Sequence, residues 1–297
     1  MELALYHPTL GYYRRNQPRV GYGAGTDFFT ASTSGPIFGE LIVAACVTLL
    51  GKKAPGDFTF VEIGAEPDGG ILQGVSHPFR RSVAVGVSDR IELTGKCVVF
   101  SNELFDAQPF RRFVFQEGAW CELGVRFDGQ AFVETTLPFS TQPTELPAPA
   151  LDGYVIDAPL AAADLTRRIA EQPWHGLFIA CDYGKSWREL IEATPAGTAR
   201  AYFQHTQSNE LLARPGEQDL TCHVCWDWLE TILNENRFTQ PALDSQEAFF
   251  IKNAGDFIAA TAAAEAAHFS RKKLSLMQLL HPSHLGQKFQ VLHAQRL

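Results

Sequence analysis

The chain has 297 residues, of which 45% are hydrophobic and 20% charged, and it carries a net charge of −8 at neutral pH. That length suits one large domain or a domain with an insertion, and the acidic balance argues against a protein that tracks nucleic-acid phosphates, which would carry a basic face. No run reaches the roughly 18 apolar residues of a membrane helix. The opening segment Met1-Glu2-Leu3-Ala4-Leu5-Tyr6-His7-Pro8 lacks the basic region and apolar run of a signal peptide. Six cysteines in a chain this long do not make a disulfide framework; Cys46, Cys97 and Cys181 lie inside apolar runs and read as small core residues. The expectation is a protein of the reducing cytoplasm, with no membrane insertion and no nucleic-acid partner.

In chain order, the first periodic segment is a helix from about Ser34 to Leu50, with Ile37, Phe38, Leu41, Ile42 and Ala45 on one face. Residues 51–57 break it with Gly and Pro. Phe58–Ile63 is a nearly continuous apolar run that suits a parallel strand covered on both faces, and Gly64–Gly70 is a turn. Further strands are predicted at Ser82–Val87 and Cys97–Ser101. The character then changes. Phe113–Phe127 and Ala131–Thr136 read as antiparallel strands around a turn at Asp128-Gly129, and Pro138–Pro149 as a loop. A helix over Ala161–Glu171 leads into a buried strand at Gly176–Asp182. The last third is mainly helical, at Val224–Asn234 and Asp256–His268, and closes on a strand near Lys288–His293. Alternating strands and helices predict a doubly wound, Rossmann-like α/β sheet, in a single domain over 1–297 with 111–150 as an antiparallel insertion and a helical C-terminal part.

Four segments place polar residues where such a sheet binds ligands, at the carboxyl ends of its strands. Val61-Glu62-Ile63-Gly64 ends a strand in acid-x-Gly, where glycine lets a ligand approach the backbone; the same letters also suit an ordinary turn. Ser101-Asn102-Glu103-Leu104-Phe105-Asp106-Ala107-Gln108-Pro109 follows a buried strand directly. It reads equally as a helix start, with Asn102 as cap and acids in the first turn. Cys181-Asp182-Tyr183-Gly184 again delivers an acid and a ring, and Pro215-Gly216-Glu217-Gln218-Asp219-Leu220-Thr221 precedes a helix. Cys222-His223-Val224-Cys225 has a metal-like spacing but no second Cys/His pair, so no metal site is expected.

These words, in this order, resemble the MidA family of class I methyltransferases, which includes a protein arginine methyltransferase that acts in mitochondrial complex I assembly. The similarity extends to Ala4-Leu5-Tyr6-His7-Pro8 with Gly11-Tyr12-Tyr13, to Thr26-Asp27-Phe28-Phe29-Thr30, to Ile37-Phe38-Gly39-Glu40 and to His223-Val224. The resemblance implies a class I sheet of the seven-strand type and S-adenosylmethionine as cofactor, held by Asp27, Phe28, Glu62, Gly64, Asn102 and Asp182. It also implies a protein acceptor, with arginine as the candidate side chain. Three departures bear on the cofactor. Glu66 and Asp68 stand where the family's first turn has glycines. The second strand reaches Gly86 where the family has a ribose-binding acid, and Asp89 comes three residues late. Ser88–Gly95 is too short for the family's next helix and strand. In addition, Thr26 replaces a glycine. Losing a charged hydrogen bond to the ribose weakens binding by about 10- to 100-fold, so weak cofactor binding is expected unless Asp89 is drawn back to the strand end.

Methyl transfer from a sulfonium is an in-line displacement, and the protein must hold the nucleophile ~3 Å from the methyl and exclude water. An arginine acceptor also needs carboxylates to orient its guanidinium. Glu103 and Asp106 are the catalytic candidates, with Asp182 behind them, and Phe28, Phe105 and Tyr183 line the slot or pack the core. Alanine at Glu103 or Asp106 is expected to abolish transfer without unfolding the chain. Two other readings compete. One is a methyltransferase-fold protein that has lost catalysis and serves as a binding or assembly partner. The other is a small-molecule methyltransferase.

Overall fold

A computed structural model describes the chain except for residues 16–18, 22, 24–25, 28–30, 68, 138–145, 148–149, 267–269 and 297. In chain order the elements are α1 (Glu2–Tyr6), α2 (Pro36–Leu50), β1 (Thr59–Ile63), β2 (Arg81–Val85), β3 (Gly95–Asn102), β4 (Arg111–Gln116), β5 (Ala119–Phe127), β6 (Phe132–Thr136) and β7 (Val155–Ala158). They continue with α3 (Leu160–Ala170), β8 (Trp174–Asp182), β9 (Gly184–Lys185), α4 (Trp187–Glu192), β10 (Arg200–Phe203), β11 (Thr206–Ser208), β12 (Asp219–Thr221), β13 (Val224–Cys225) and α5 (Trp226–Glu235). The last are β14 (Thr239–Ser245), α6 (Gln246–Ala264), α7 (Arg271–Leu280) and β15 (Gln290–Arg296). No described helix is long and apolar enough to cross a membrane. The chain forms two compact units: Met1–Phe28, Phe105–Leu165 and Gly184–Leu229 make one, and Phe29–Leu104, Thr166–Tyr183 and Glu230–Leu297 the other.

The second unit holds a six-stranded sheet of order β14-β15-β8-β3-β1-β2. Strands β2, β1, β3 and β8 are mutually parallel, and β15 runs against β8 and β14. This is the expected doubly wound α/β sheet. The expected seventh strand is absent among the described residues, because residues 86–94 cross from β2 to the parallel β3 with no room for a helix and a further strand. A parallel crossover with its helix needs a dozen residues or more. Helix α2 starts at Pro36, which fits the first helical position, and it buries Phe38, Leu41, Ile42 and Ala45 in the unit's core. That core is aromatic: Phe60 stacks on Phe100 at 5.8 Å, and Phe38 meets Phe100 and Phe250 edge-on at 6.2 and 6.1 Å. Such pairs add to the area they bury.

The first unit carries a four-stranded antiparallel sheet, β6-β5-β4-β7. Its core is Phe113, Phe115, Trp120, Ile156 and Ala158, and Arg111 forks onto Glu122 across the ladder at 2.7 and 2.6 Å. The stretch predicted as one strand, Phe113–Phe127, is two, because Glu117 (φ 51) and Gly118 (φ 80) turn the chain. Paired left-handed residues are the conformation a two-residue hairpin needs. The helix expected from Asp256 instead begins at Gln246, where the Ser245 hydroxyl accepts the Ala248 N–H at 3.2 Å. It ends at Ala264, and the expected last turn falls partly outside the described residues. Most of the 138–149 loop does as well.

Candidate active site

Because β2, β1, β3 and β8 run the same way, their carboxyl ends share one edge of the sheet, the edge where open α/β sheets bind ligands. Register brings Glu62 beside Phe100 and Asn102 beside Cys181. Five of the sequence-derived residues therefore stand along one rim: Glu62, Gly64, Asn102, Glu103 and Asp182. Each follows an apolar strand that must be buried, and that fixes which end of the strand is left polar.

Gly64 is exposed and left-handed, with φ of 85°. A Cβ there would lie 2.9 Å from the Leu104 Cδ1 and would push that side chain aside, and the positive φ itself favours glycine. The Gly64 and Ala65 N–H groups both point to the Val85 carbonyl, at 2.9 and 3.1 Å, and tie the ends of β1 and β2 together. Glu62 is buried, and its Oε2 accepts the Ile71 N–H at 2.7 Å. Burial pushes its carboxyl up to about 7; the Ile71 bond opposes the shift and the Glu66 charge adds to it. Asn102 donates from Nδ2 to the Glu103 Oε1 at 3.0 Å, while its buried Oδ1 has no hydrogen-bond partner among the described residues. Glu103 itself is left-handed at φ 50°, held there by its N–H to the Cys181 carbonyl at 2.9 Å. A non-glycine residue in that conformation stores strain of about 1–2 kcal/mol, and such residues cluster at functional sites. Asp182 is fully buried, and its Oδ1 accepts the Tyr183 N–H at 2.8 Å. It therefore supports the rim from inside.

Two features of this rim fit S-adenosylmethionine. Gly64 makes a solvent-exposed, left-handed turn at the end of β1, and the Asn102 Oδ1 is an acceptor without a donor among the described residues. A buried acceptor left without a partner costs about 1–3 kcal/mol, a cost that a ligand's N–H or O–H would relieve. Glu62, Gly64 and Asn102 are the residues of this rim that would hold the cofactor.

Asp27 and Asp106 belong to the other unit, and Phe28 lies outside the described residues, as does Asp68. In that unit Asp27 is buried at the centre of a knot. Its Oδ2 accepts the Tyr12 hydroxyl at 2.8 Å, its Oδ1 the Gln204 N–H at 2.8 Å, and its carbonyl the His205 N–H at 2.8 Å. Thr26, where a glycine was expected, turns its hydroxyl onto the Gly21 and Gly23 carbonyls at 2.9 and 2.7 Å. Asp219 is buried too. Its Oδ1 accepts the Tyr13 hydroxyl and the Leu220 N–H, each at 2.9 Å. Burial pushes Asp219 up to about 6, against the pull of those two bonds. Tyr13 stacks on Tyr6 at 5.5 Å, and the Arg19 guanidinium lies 5.3 Å from the Tyr13 ring centre. The Tyr6 hydroxyl reaches the Ala107 carbonyl at 2.9 Å, and the Asp106 carbonyl takes the Cys222 N–H at 3.0 Å. Buried Asp106 is thus held by residues from both ends of the unit's chain.

Sequence reasoning passed over Tyr12, Tyr13, Arg19 and Asp219 as functional candidates. The available signal was the resemblance itself, since Gly11-Tyr12-Tyr13 and Gln218-Asp219 are among its words. Cys222 and Cys225 are buried, and β13 pairs Val224-Cys225 with Gly184-Lys185. No group of three or more His, Cys, Asp or Glu among the described residues is placed to hold a metal.

Comparison with known proteins converges on one family. A family model described as "Putative S-adenosyl-L-methionine-dependent methyltransferase" matches residues 80–242, more than half of the chain. The mitochondrial protein arginine methyltransferase NDUFAF7 of Danio rerio is 26% identical, over 86% of this chain and 72% of that protein. A Burkholderia thailandensis protein solved with S-adenosylhomocysteine bound superimposes with a TM-score of 0.84 at 24% identity, covering 99% of this chain and 86% of that one. A native crystal structure from the same organism gives 0.80 at 23% identity, over 99% and 85%. These two share the fold. Family model, relative and strand topology agree: the chain belongs to the MidA-like family of S-adenosyl-L-methionine-dependent methyltransferases.

Proposed function

We propose that this chain binds S-adenosylmethionine at the carboxyl rim of its six-stranded sheet and methylates arginine side chains of a protein. The observation that carries the reading is the Asn102–Glu103 pair: a strained acid at a strand end beside an unsatisfied amide oxygen. The name of the zebrafish relative supports arginine as the acceptor. When bound, the cofactor supplies an electrophilic methyl on a sulfonium centre. The chain's own part is positional. Gly64 turns the chain at the end of β1, Asn102 offers its Oδ1 to a donor on the ligand, and Glu103 holds the acceptor guanidinium through a charge-assisted pair that turns one nitrogen toward the methyl.

One observation favours a second reading, a scaffold that assembles with a partner without catalysis. No helix follows β1 or β2 among the described residues, so the cofactor half lacks the helix N-terminus that commonly receives a ligand's anionic group. Incubating the purified protein with methyl-labelled S-adenosylmethionine and a protein extract, then hydrolysing and separating the amino acids, distinguishes the two. Label in methylarginine, lost in Glu103→Gln, is expected. Label in another amino acid, or methylarginine unaffected by that variant, contradicts the arginine reading. Cofactor binding with no transfer supports the scaffold.

A further inference from the structure

Gly86 leaves the end of β2 without the carboxylate that a ribose-binding fold places there. The geometry points to Asp89 as its replacement: we propose that the Asp89 carboxylate receives the ribose diol of the cofactor. This rests on the reading of the rim as an S-adenosylmethionine site and deepens it.

The connection from β2 to β3 is short, and its first residues fold back. The Asp89 N–H donates to the Gly86 carbonyl at 3.1 Å, and the Gly86 N–H donates to the Asp89 Oδ2 at 2.8 Å. Those two bonds hold the side chain against the strand end. A side chain beginning at Gly86 would have its Cβ 3.4 Å from the Asp89 Oδ2 and 3.7 Å from the Ala65 carbonyl oxygen. The Asp89 oxygen therefore stands within the reach that an acid at position 86 would have had. It lies at the same corner as the exposed Gly64, because Gly64 and Ala65 both bond to the Val85 carbonyl just before Gly86. Asp89 is exposed, so its carboxylate is open to a ligand. A carboxylate has about four lone-pair positions; one takes the Gly86 N–H, and the others can accept the two hydroxyls of a vicinal diol. The turn over 86–89 brings the carboxylate of residue 89 to the place that a side chain at residue 86 no longer fills.

The test is calorimetric titration of the full chain and of Asp89→Asn with S-adenosylhomocysteine and with its 2′-deoxy analogue. Asparagine keeps an oxygen for the Gly86 N–H, so the loop stays folded while the charge is lost. S-adenosylhomocysteine is expected to bind Asp89→Asn about 10- to 100-fold more weakly than the natural protein. The analogue should bind the natural protein more weakly as well, and removing both partners should cost no more than removing one. Equal affinity of the two proteins for S-adenosylhomocysteine overturns the Asp89 assignment and leaves the cofactor site standing. Losses that multiply when variant and analogue are combined overturn it also. No binding by the natural protein overturns the cofactor reading itself, and this inference with it.

Discussion

The two halves of the six-stranded sheet obey different rules. In one half, β3 and β8 are eight and nine residues long, and Gly176–Asp182 are buried without interruption. In the other, β1 and β2 have five residues each, and only Val85 of β2 is buried. The long half is built for packing: β8 lies between β3 and β15 and fills the core. In the short half β1 is buried and its Phe60 joins the core, whereas β2 is mostly exposed and contributes chiefly its carboxyl end, where Gly86 and Asp89 stand. Ligand-binding segments come from the low-stability end of a protein, because they must adapt. A fold can therefore trim its cofactor half, losing a helix and a strand, while the rim keeps its geometry.

Substitutions in the two halves should differ sharply in cost. Gly176 has φ of 134° and pairs with Cys97, and a Cβ there would collide with the Cys97 carbonyl. Gly176→Ala should destabilise the chain by about 3–4 kcal/mol through backbone strain and overpacking, measured by denaturant unfolding. A near-neutral result would show that the long half has slack. Glu62→Gln tests the rim, with the opposite sign. The Glu62 carboxyl is raised from 4.5 to about 7, so its favourable contribution is complete below pH 4.5 and is lost as pH rises through 7. The natural protein should thus lose about 3 kcal/mol across that window. The glutamine variant keeps an acceptor for the Ile71 N–H, does not titrate, and should be the more stable at pH 8. An unchanged pH profile would mean that Glu62 is solvated. The smallest effect belongs to β2. Val83 is half-buried, and Val83→Ala should cost less than about 1 kcal/mol; a loss comparable to that of Gly176→Ala would erase the contrast between the halves.

What the sequence disclosed follows the same division. The runs at Phe58–Ile63, Cys97–Ser101 and Gly176–Asp182 were legible as buried strands because burial on both faces demands continuous apolar residues. Their polar ends, Glu62, Asn102 and Asp182, were legible as a rim for the same reason. The turn at Glu117-Gly118 was not, since Glu-Gly is a weaker hairpin signal than Asn-Gly. Nor were the bonds from Tyr12 to Asp27 and from Tyr13 to Asp219, which join residues 15 and 206 positions apart. No local pattern encodes such partners, and a buried tyrosine looks like core until its hydroxyl is traced. The return of Asp89 to Gly86 turns on loop conformation, which spacing alone leaves open.

The central claim, that the trimmed half still forms a cofactor crevice, is tested most directly by amide hydrogen exchange with and without saturating S-adenosylhomocysteine. The account expects slowed exchange at Gly64–Ala65, Gly86–Asp89 and Asn102–Leu104, with β8 and β15 already slow and unchanged. Exchange identical in the two states across those three segments, or protection confined to other parts of the chain, would contradict it.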